Sequence, residues 1–199
     1  MSTKPKVMGL VLRLPAVRLS FPDLDEPKAF SEGQEPKYGA TFLLDPKNPK
    51  HASAIKTIKA EEQRMILEQW GSKPKDFISE FMGNGNDKIS QQTGEPYQGY
   101  EGMIFISGKN KNPPLLLDTE QNEIARTDPR IYGGAYVNAT INLYVQMPRP
   151  KVKGQGLRVS VRGVQVLGYG DAFGSRASEK EFEDFDSDDP GLAMESDGL

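Results

Sequence analysis

Apolar and polar residues alternate most strictly from Ala135 to Gln146. Val137, Ala139, Ile141, Leu143 and Val145 take one parity, and Tyr136, Asn138, Thr140, Asn142 and Tyr144 the other. A period of two puts successive side chains on opposite faces of a strand, so the first set predicts a core face and the second an exposed one. Leu157 to Leu167 reads as the hairpin partner, with Leu157, Val159 and Val161 on the core side and Arg158, Ser160 and Arg162 opposite. Val7 to Phe21 predicts another extended segment, in which Pro15 marks an edge or a bend. Tyr38 to Leu44 predicts a strand that Asp45-Pro46 ends, Met103 to Ser107 a short apolar strand, and Leu115 to Leu117 a brief one. Phe21-Pro22 to Lys37, Gly83 to Glu101 and Lys109 to Pro114 are predicted as loops or turns on their Gly and Pro content.

One helix interrupts the strands. Asn48 and Pro49 have the form of an N-cap and first helical residue. Ile55, Ile58, Met65 and Ile66, with Trp70 near the end, approximate one face at helical spacing, and Gly71 followed by Pro74 stops the run. The helix is expected to cover one side or end of the sheet, with Trp70, Phe42 and Phe105 in the core. Strands in this order with one inserted helix predict a mainly β, OB-fold-like five-stranded barrel. A β-sandwich is the alternative arrangement of the same strands.

Charge divides the chain more sharply than hydropathy does. Residues 179–199 carry nine acids and one base, which leaves 19 of the 28 acids and 24 of the 25 bases in residues 1–178. The body is therefore about +5 and the tail about −8. With no apolar period after Gly174, the expected division is a domain over 1–177 and a disordered acidic tail over 178–199. No apolar run approaches the ~20 residues of a spanning helix, and no signal peptide opens the sequence. The absence of cysteine and the single histidine, His51, leave no disulfide, no thiol chemistry and no zinc ligand set, and fit a cytoplasmic compartment. No cofactor is expected.

From Pro129 to Gly170 there is no Asp or Glu, but there are six bases and four tyrosines. If the two best strands pair, Tyr136, Asn138, Asn142 and Tyr144 share one surface with Arg158 and Arg162. Arg149, Lys151 and Lys153 on the connection then form a basic finger beside it. Tyr38 and Lys109 are further candidates. Aromatic rings stack on unpaired bases at roughly 1–3 kcal/mol each, and cations alongside neutralise phosphates. This chemistry points to a sequence-tolerant binder of single-stranded nucleic acid, with DNA preferred over RNA. In the tail, Phe182 and Phe185 stand among Glu181, Glu183, Asp184, Asp186, Asp188 and Asp189. Charge and ring together imitate a nucleic-acid strand, so the tail is a candidate competitor for the groove or a docking segment for protein partners.

The segments Gly133-Gly134-Ala-Tyr-Val-Asn-Ala-Thr-Ile-Asn-Leu-Tyr144, Gly156-Leu-Arg-Val-Ser-Val-Arg-Gly-Val-Gln-Val166 and Gly170-Asp-Ala-Phe-Gly174 carry a resemblance to a known family. With the acidic tail and the opening Val7–Asp25, they resemble the single-stranded DNA-binding proteins of tailed bacteriophages. The resemblance implies an OB-fold, single-strand binding in replication or recombination in the host cytoplasm, and a tail that meets replication partners. Two other classes compete. A nuclease would need clustered carboxylates to hold magnesium, and the body's acids are scattered. An interaction factor would use the tail alone and have no DNA affinity. Oligomeric state is open.

Overall fold

The computed structural model describes residues 5–29, 33–91, 94–148 and 154–174. In chain order the elements are β1 (Leu10–Lys28), β2 (Lys37–Leu44), α1 (Pro49–Trp70), β3 (Phe77–Ile78), β4 (Met82–Asn84), β5 (Ile104–Asn110), β6 (Leu115–Leu117), β7 (Tyr136–Gln146) and β8 (Gln155–Gly168). Hydrogen-bonded neighbours run β3-β8-β7-β1-β2-β5-β4, with β6 parallel to β8. The five long strands β5-β2-β1-β7-β8 form the barrel wall. The ends of this ladder meet through side chains: Gly108 of β5 lies against Val159 and Val161 of β8, where a Cβ would come within 2.8 Å of Val159 Cγ1. Asn110 Nδ2 donates to the Val161 carbonyl at 2.8 Å across the same seam. The result is an OB-like barrel, open as a ladder and closed by packing. The sandwich alternative falls away, because one sheet wraps around one core.

β7 obeys its alternation throughout, with Val137 to Val145 buried at every second position. β8 does so until Arg162, where Thr140 pairs with Gly163 but Ile141 pairs with Val161. Arg162 is the extra residue, and beyond it the core parity passes to Val164 and Val166. β1 changes parity twice. Leu12 and Leu14 face the core, then Val17 and Leu19, then Leu24, with register shifts between Leu14 and Val17 and between Ser20 and Asp23. Each bulge adds a residue and sharpens the bend that closes the wall. The loop expected from Phe21 onward is therefore strand as far as Lys28. Its alternation was hidden by the bulges, and pairing with β2 supplies what local propensity does not. β5 likewise continues to Asn110, past the turn expected at Lys109. Met82–Asn84, which overlaps the start of the stretch read as loop, pairs with β5.

α1 begins and ends where expected. Asn48 Oδ1 accepts the Lys50 N–H at 2.9 Å, and the Gly71 N–H donates to the Leu67 carbonyl at 2.8 Å. Ile55, Ile58, Met65 and Ile66 are buried against the barrel. Trp70 packs edge-on to Phe77 with centroids 5.5 Å apart and donates to Gln155 Oε1 at 2.7 Å, so it is part of the packing as expected.

His51, in the first turn of α1, is buried and has two backbone partners. Nδ1 accepts the Asp45 N–H at 3.0 Å, which leaves Nε2 to donate to the Pro15 carbonyl at 2.9 Å. The ring thus fastens the helix start to the first bulge of β1. His51→Ala is expected to lower unfolding free energy by about 2 kcal/mol, since it strands buried backbone groups. Denaturant midpoints at unchanged m-value would check it; a change below about 0.5 kcal/mol would contradict the role.

Candidate nucleic-acid interface

Along the seam between β5 and β8 the wall opens into a groove of about 850 Å³. One side is built by β2 and β5, which present Lys37, Gly39, Thr41, Ser107 and Lys109. The other is the β7–β8 hairpin, which presents Tyr144, Gln146 and Arg158. Tyr144 and Arg158 are direct cross-strand partners, and Arg158 Nε donates to Gln146 Oε1 at 3.2 Å. The structure thus brings Tyr144, Arg158 and Lys109 together from three strands. Lys37 and Lys88 add two cations that the sequence reading did not select. Lys37 has the outward parity of β2, opposite Ala40 and Phe42, and that parity was the available signal. Lys88 Nζ lies 4.6 Å from the centroid of the Phe105 ring, which forms part of the floor.

The groove is not free of acids, although the 129–170 stretch is. Asp23, Glu80 and Asp87 line it, contributed by segments outside that stretch. Asp23 is engaged by Lys28 at 2.7 Å. On the cationic side, burial first and the charge of Lys37 second hold the Lys109 ammonium below the ordinary lysine value of 10.5, with Asp23 opposing. Two lysines that repel one another in a partly desolvated groove gain most from a phosphate between them.

That arrangement carries a pH prediction. A phosphate bound at Lys109 would raise its pKa again, so strand binding there would take up protons at alkaline pH. Affinity is full below the lowered pKa of the free protein and falls as pH rises through it, starting below 10.5. Lys109→Arg keeps its charge and is expected to remove this alkaline limb in a binding titration against pH. An identical pH profile in both proteins would sink the assignment.

The other sequence candidates lie elsewhere. Tyr136 is at the far end of β7, eight residues and roughly 26 Å from Tyr144. Its ring carries the Arg18 guanidinium at 4.9 Å, and the Phe173 ring lies 4.8 Å from the same group. Arg18 also donates to the Asp171 carbonyl at 2.6 Å. Asn138 is used internally: Oδ1 accepts the Ala16 N–H and Nδ2 donates to Gln165 Oε1, both at 2.9 Å. The Asn142 side chain packs over Gly9. Arg162 is exposed on its bulge. Tyr38 has the parity of Ala40 and Phe42, and its ring lies under Arg126 at 5.3 Å. Arg149, Lys151, Lys153 and the tail residues Glu181 to Asp189 lie outside the described residues.

The resemblance segments also find a physical role. Gly170–Gly174 forms a strap across the barrel end. The Phe173 N–H donates to the Gly133 carbonyl at 2.8 Å, and the Tyr132 hydroxyl both donates to the Gly170 carbonyl and accepts its N–H. Tyr100, buried by this end of the barrel, donates to Ser20 Oγ at 3.1 Å, and burial pushes its phenol up. Together with Tyr97, whose ring centroid lies 5.8 Å from its own, it pins the long loop.

A small, strongly curved barrel with a groove of lysines, arginine and tyrosine across its strands defines the class of OB-type nucleic-acid-binding proteins. The chain belongs to the family of the ssDNA-binding protein of Enterobacter phage Enc34, whose family model matches residues 10–192. Protein p50 of Acyrthosiphon pisum secondary endosymbiont phage 1 is 37% identical over 177 residues, covering 87% of this chain and 92% of that protein. Among solved structures, the Enc34 single-stranded DNA-binding protein in complex with ssDNA is similar at a TM-score of 0.68 and 24% identity, covering 82% of this chain and 89% of that one. The bacteriophage T7 single-stranded DNA-binding protein gp2.5 shares the fold at a TM-score of 0.54 and 10% identity, covering 94% and 100%.

Proposed function

We infer that this protein binds single-stranded DNA with little sequence preference and protects it during phage replication or recombination. Phosphates lie along Lys37, Lys109 and Arg158, and a base stacks on Tyr144. The observation that carries this reading is the convergence of these cations and one tyrosine, from β2, β5, β7 and β8, in a single groove of a chain that belongs to a phage ssDNA-binding family. The action is binding without catalysis. Among the described residues no cluster of three or more acids, histidines or cysteines is placed to hold a metal, and no helix is long and apolar enough to cross a membrane.

The division into a binding domain over 1–177 and a regulatory acidic segment over 178–199 belongs to the same proposal. The tail's charges compete for the groove cations at an effective concentration of order mM and recruit replication or recombination proteins once DNA displaces them. The cytoplasm of a bacterial host is the compartment this implies. Fluorescence anisotropy with a labelled oligonucleotide tests it. Salt-sensitive binding is expected, tightening when the chain ends at Ser178, with the strand intact after long incubation with magnesium. Binding that is absent in both forms would overturn the function, and cleavage would overturn the proposal of binding without catalysis.

A further inference from the structure

Phe21 stands out in its backbone and in its side chain. Its φ of +43° lies in the left-handed region, which a residue with a Cβ adopts only at a cost. The cost belongs to the bend of β1, because the other bulge places Ala16 at φ +48°. A methyl suffices there, so bending the strand does not call for a ring. At the second bulge the residue is a phenylalanine with 54% of its surface exposed. Core packing does not account for a large apolar side chain held outward by a strained backbone.

The surroundings of the ring supply a use. Phe21 lines the cationic groove and also walls a separate, adjoining hollow of about 340 Å³. The hollow is bounded by Tyr97, Tyr100 and Phe173, with no charged residue in its lining. Tyr97 meets Phe21 edge-on at 5.1 Å and Tyr100 is tilted at 6.3 Å, so the ring is braced in place. A groove that holds phosphates and, next to it, an uncharged aromatic recess separate the two chemistries of a polynucleotide. The charged backbone stays on the lysines and a flat apolar base enters the recess.

We propose that the hollow behind Phe21 is a base slot: a DNA strand lying in the groove passes over Phe21 and seats its next base against Phe21, Tyr97 and Phe173. The proposal rests on the strand-binding reading of the groove and adds a site that this reading does not contain. It makes Phe21 a specificity element for strand length, since only a strand that extends past the groove reaches the slot.

The test uses the full-length protein and oligothymidylates of increasing length, each carrying one 2-aminopurine whose emission reports the stacking of that base. In the native protein, affinity is expected to step up by about tenfold when the strand gains the base that fills the slot. One position near that end should show a distinct emission change. Phe21→Gly accepts the positive φ and keeps the fold, which thermal melting verifies. It should abolish both the step and the emission change; because the ring also borders the groove, shorter strands weaken as well, but by less than the longer strands do. Phe21→Tyr should retain both. A step that survives Phe21→Gly, or a Phe21→Gly loss equal at all lengths, overturns the slot. Failure of the native protein to bind even the short strands overturns the groove reading itself, a result distinct from loss of the slot alone. Equal emission at every position would leave the hollow to another occupant, such as a phenyl group of the tail, and would also overturn the proposal.

Discussion

Changing Lys109 and Arg158 together to glutamine is expected to weaken single-strand affinity about 100-fold near 0.1 M salt. The two cations stand on opposite sides of the groove, one from β5 and one from β8. In the proposed binding mode each makes a charge-assisted contact worth roughly 1.5 kcal/mol or more, and 1.4 kcal/mol corresponds to tenfold. The salt dependence should change as well. Each phosphate contact to a single strand contributes about 0.7 to the slope of log affinity against log salt, so losing two contacts flattens it by about 1.4. Tyr144→Ala should lower affinity by about 1–3 kcal/mol through lost stacking and leave the salt slope unchanged. The distal tyrosine supplies the control. Tyr136→Ala should disturb stability through Arg18 but leave affinity close to native, because its ring is already occupied at the other end of the strand. Equal loss of affinity from both tyrosine changes would contradict the geometry of the groove.

The largest effect on stability is expected at Gly134. Its φ is +109°, which disfavours any side chain, and a Cβ there would collide with the carbonyl oxygen of Asp171 in the strap. The same glycine donates its N–H to the Leu19 carbonyl at 2.7 Å, which anchors the start of β7 to β1. Gly134→Val therefore combines backbone strain with a clash against main chain that has nowhere to move while Arg18 holds Asp171. A loss of about 4 kcal/mol is expected, at the high end for a single substitution. Hydrogen exchange distinguishes the route. If the strap is displaced, the Phe173 and Gly170 amides lose protection first while those of the β7–β8 ladder keep theirs. A variant with native stability and a protected strap would show that the Gly133–Gly134 and Gly170–Gly174 segments are not one clamp.

The clamp shows how far a linear reading reaches. Those two glycine-bearing segments stood out in the sequence only through their resemblance to a family. Their contact, between segments distant in the chain, explains both. Arg18 left no such trace, since an arginine in a strand reads as a solvated charge until the rings of Tyr136 and Phe173 are seen against it.

By itself the sequence determined the β7–β8 hairpin and its inward and outward faces, the capped helix α1, the acidic segment and the class of ligand. These are local properties: alternation, cap chemistry and charge are written within a few residues of one another. Only the tertiary structure decided which polar residues of the outer face meet. Tyr144 and Arg158 join Lys37 and Lys109 because β5 and β8 close the barrel along one seam, while Tyr136 and Asn138, with the same parity as Tyr144, are taken up by β1 and the strap. Parity assigns a face, but a curved sheet distributes one face over several surroundings. The bulges at Ala16, Phe21 and Arg162 then set the curvature, and with it the position of the groove, through long-range pairing that no local pattern records.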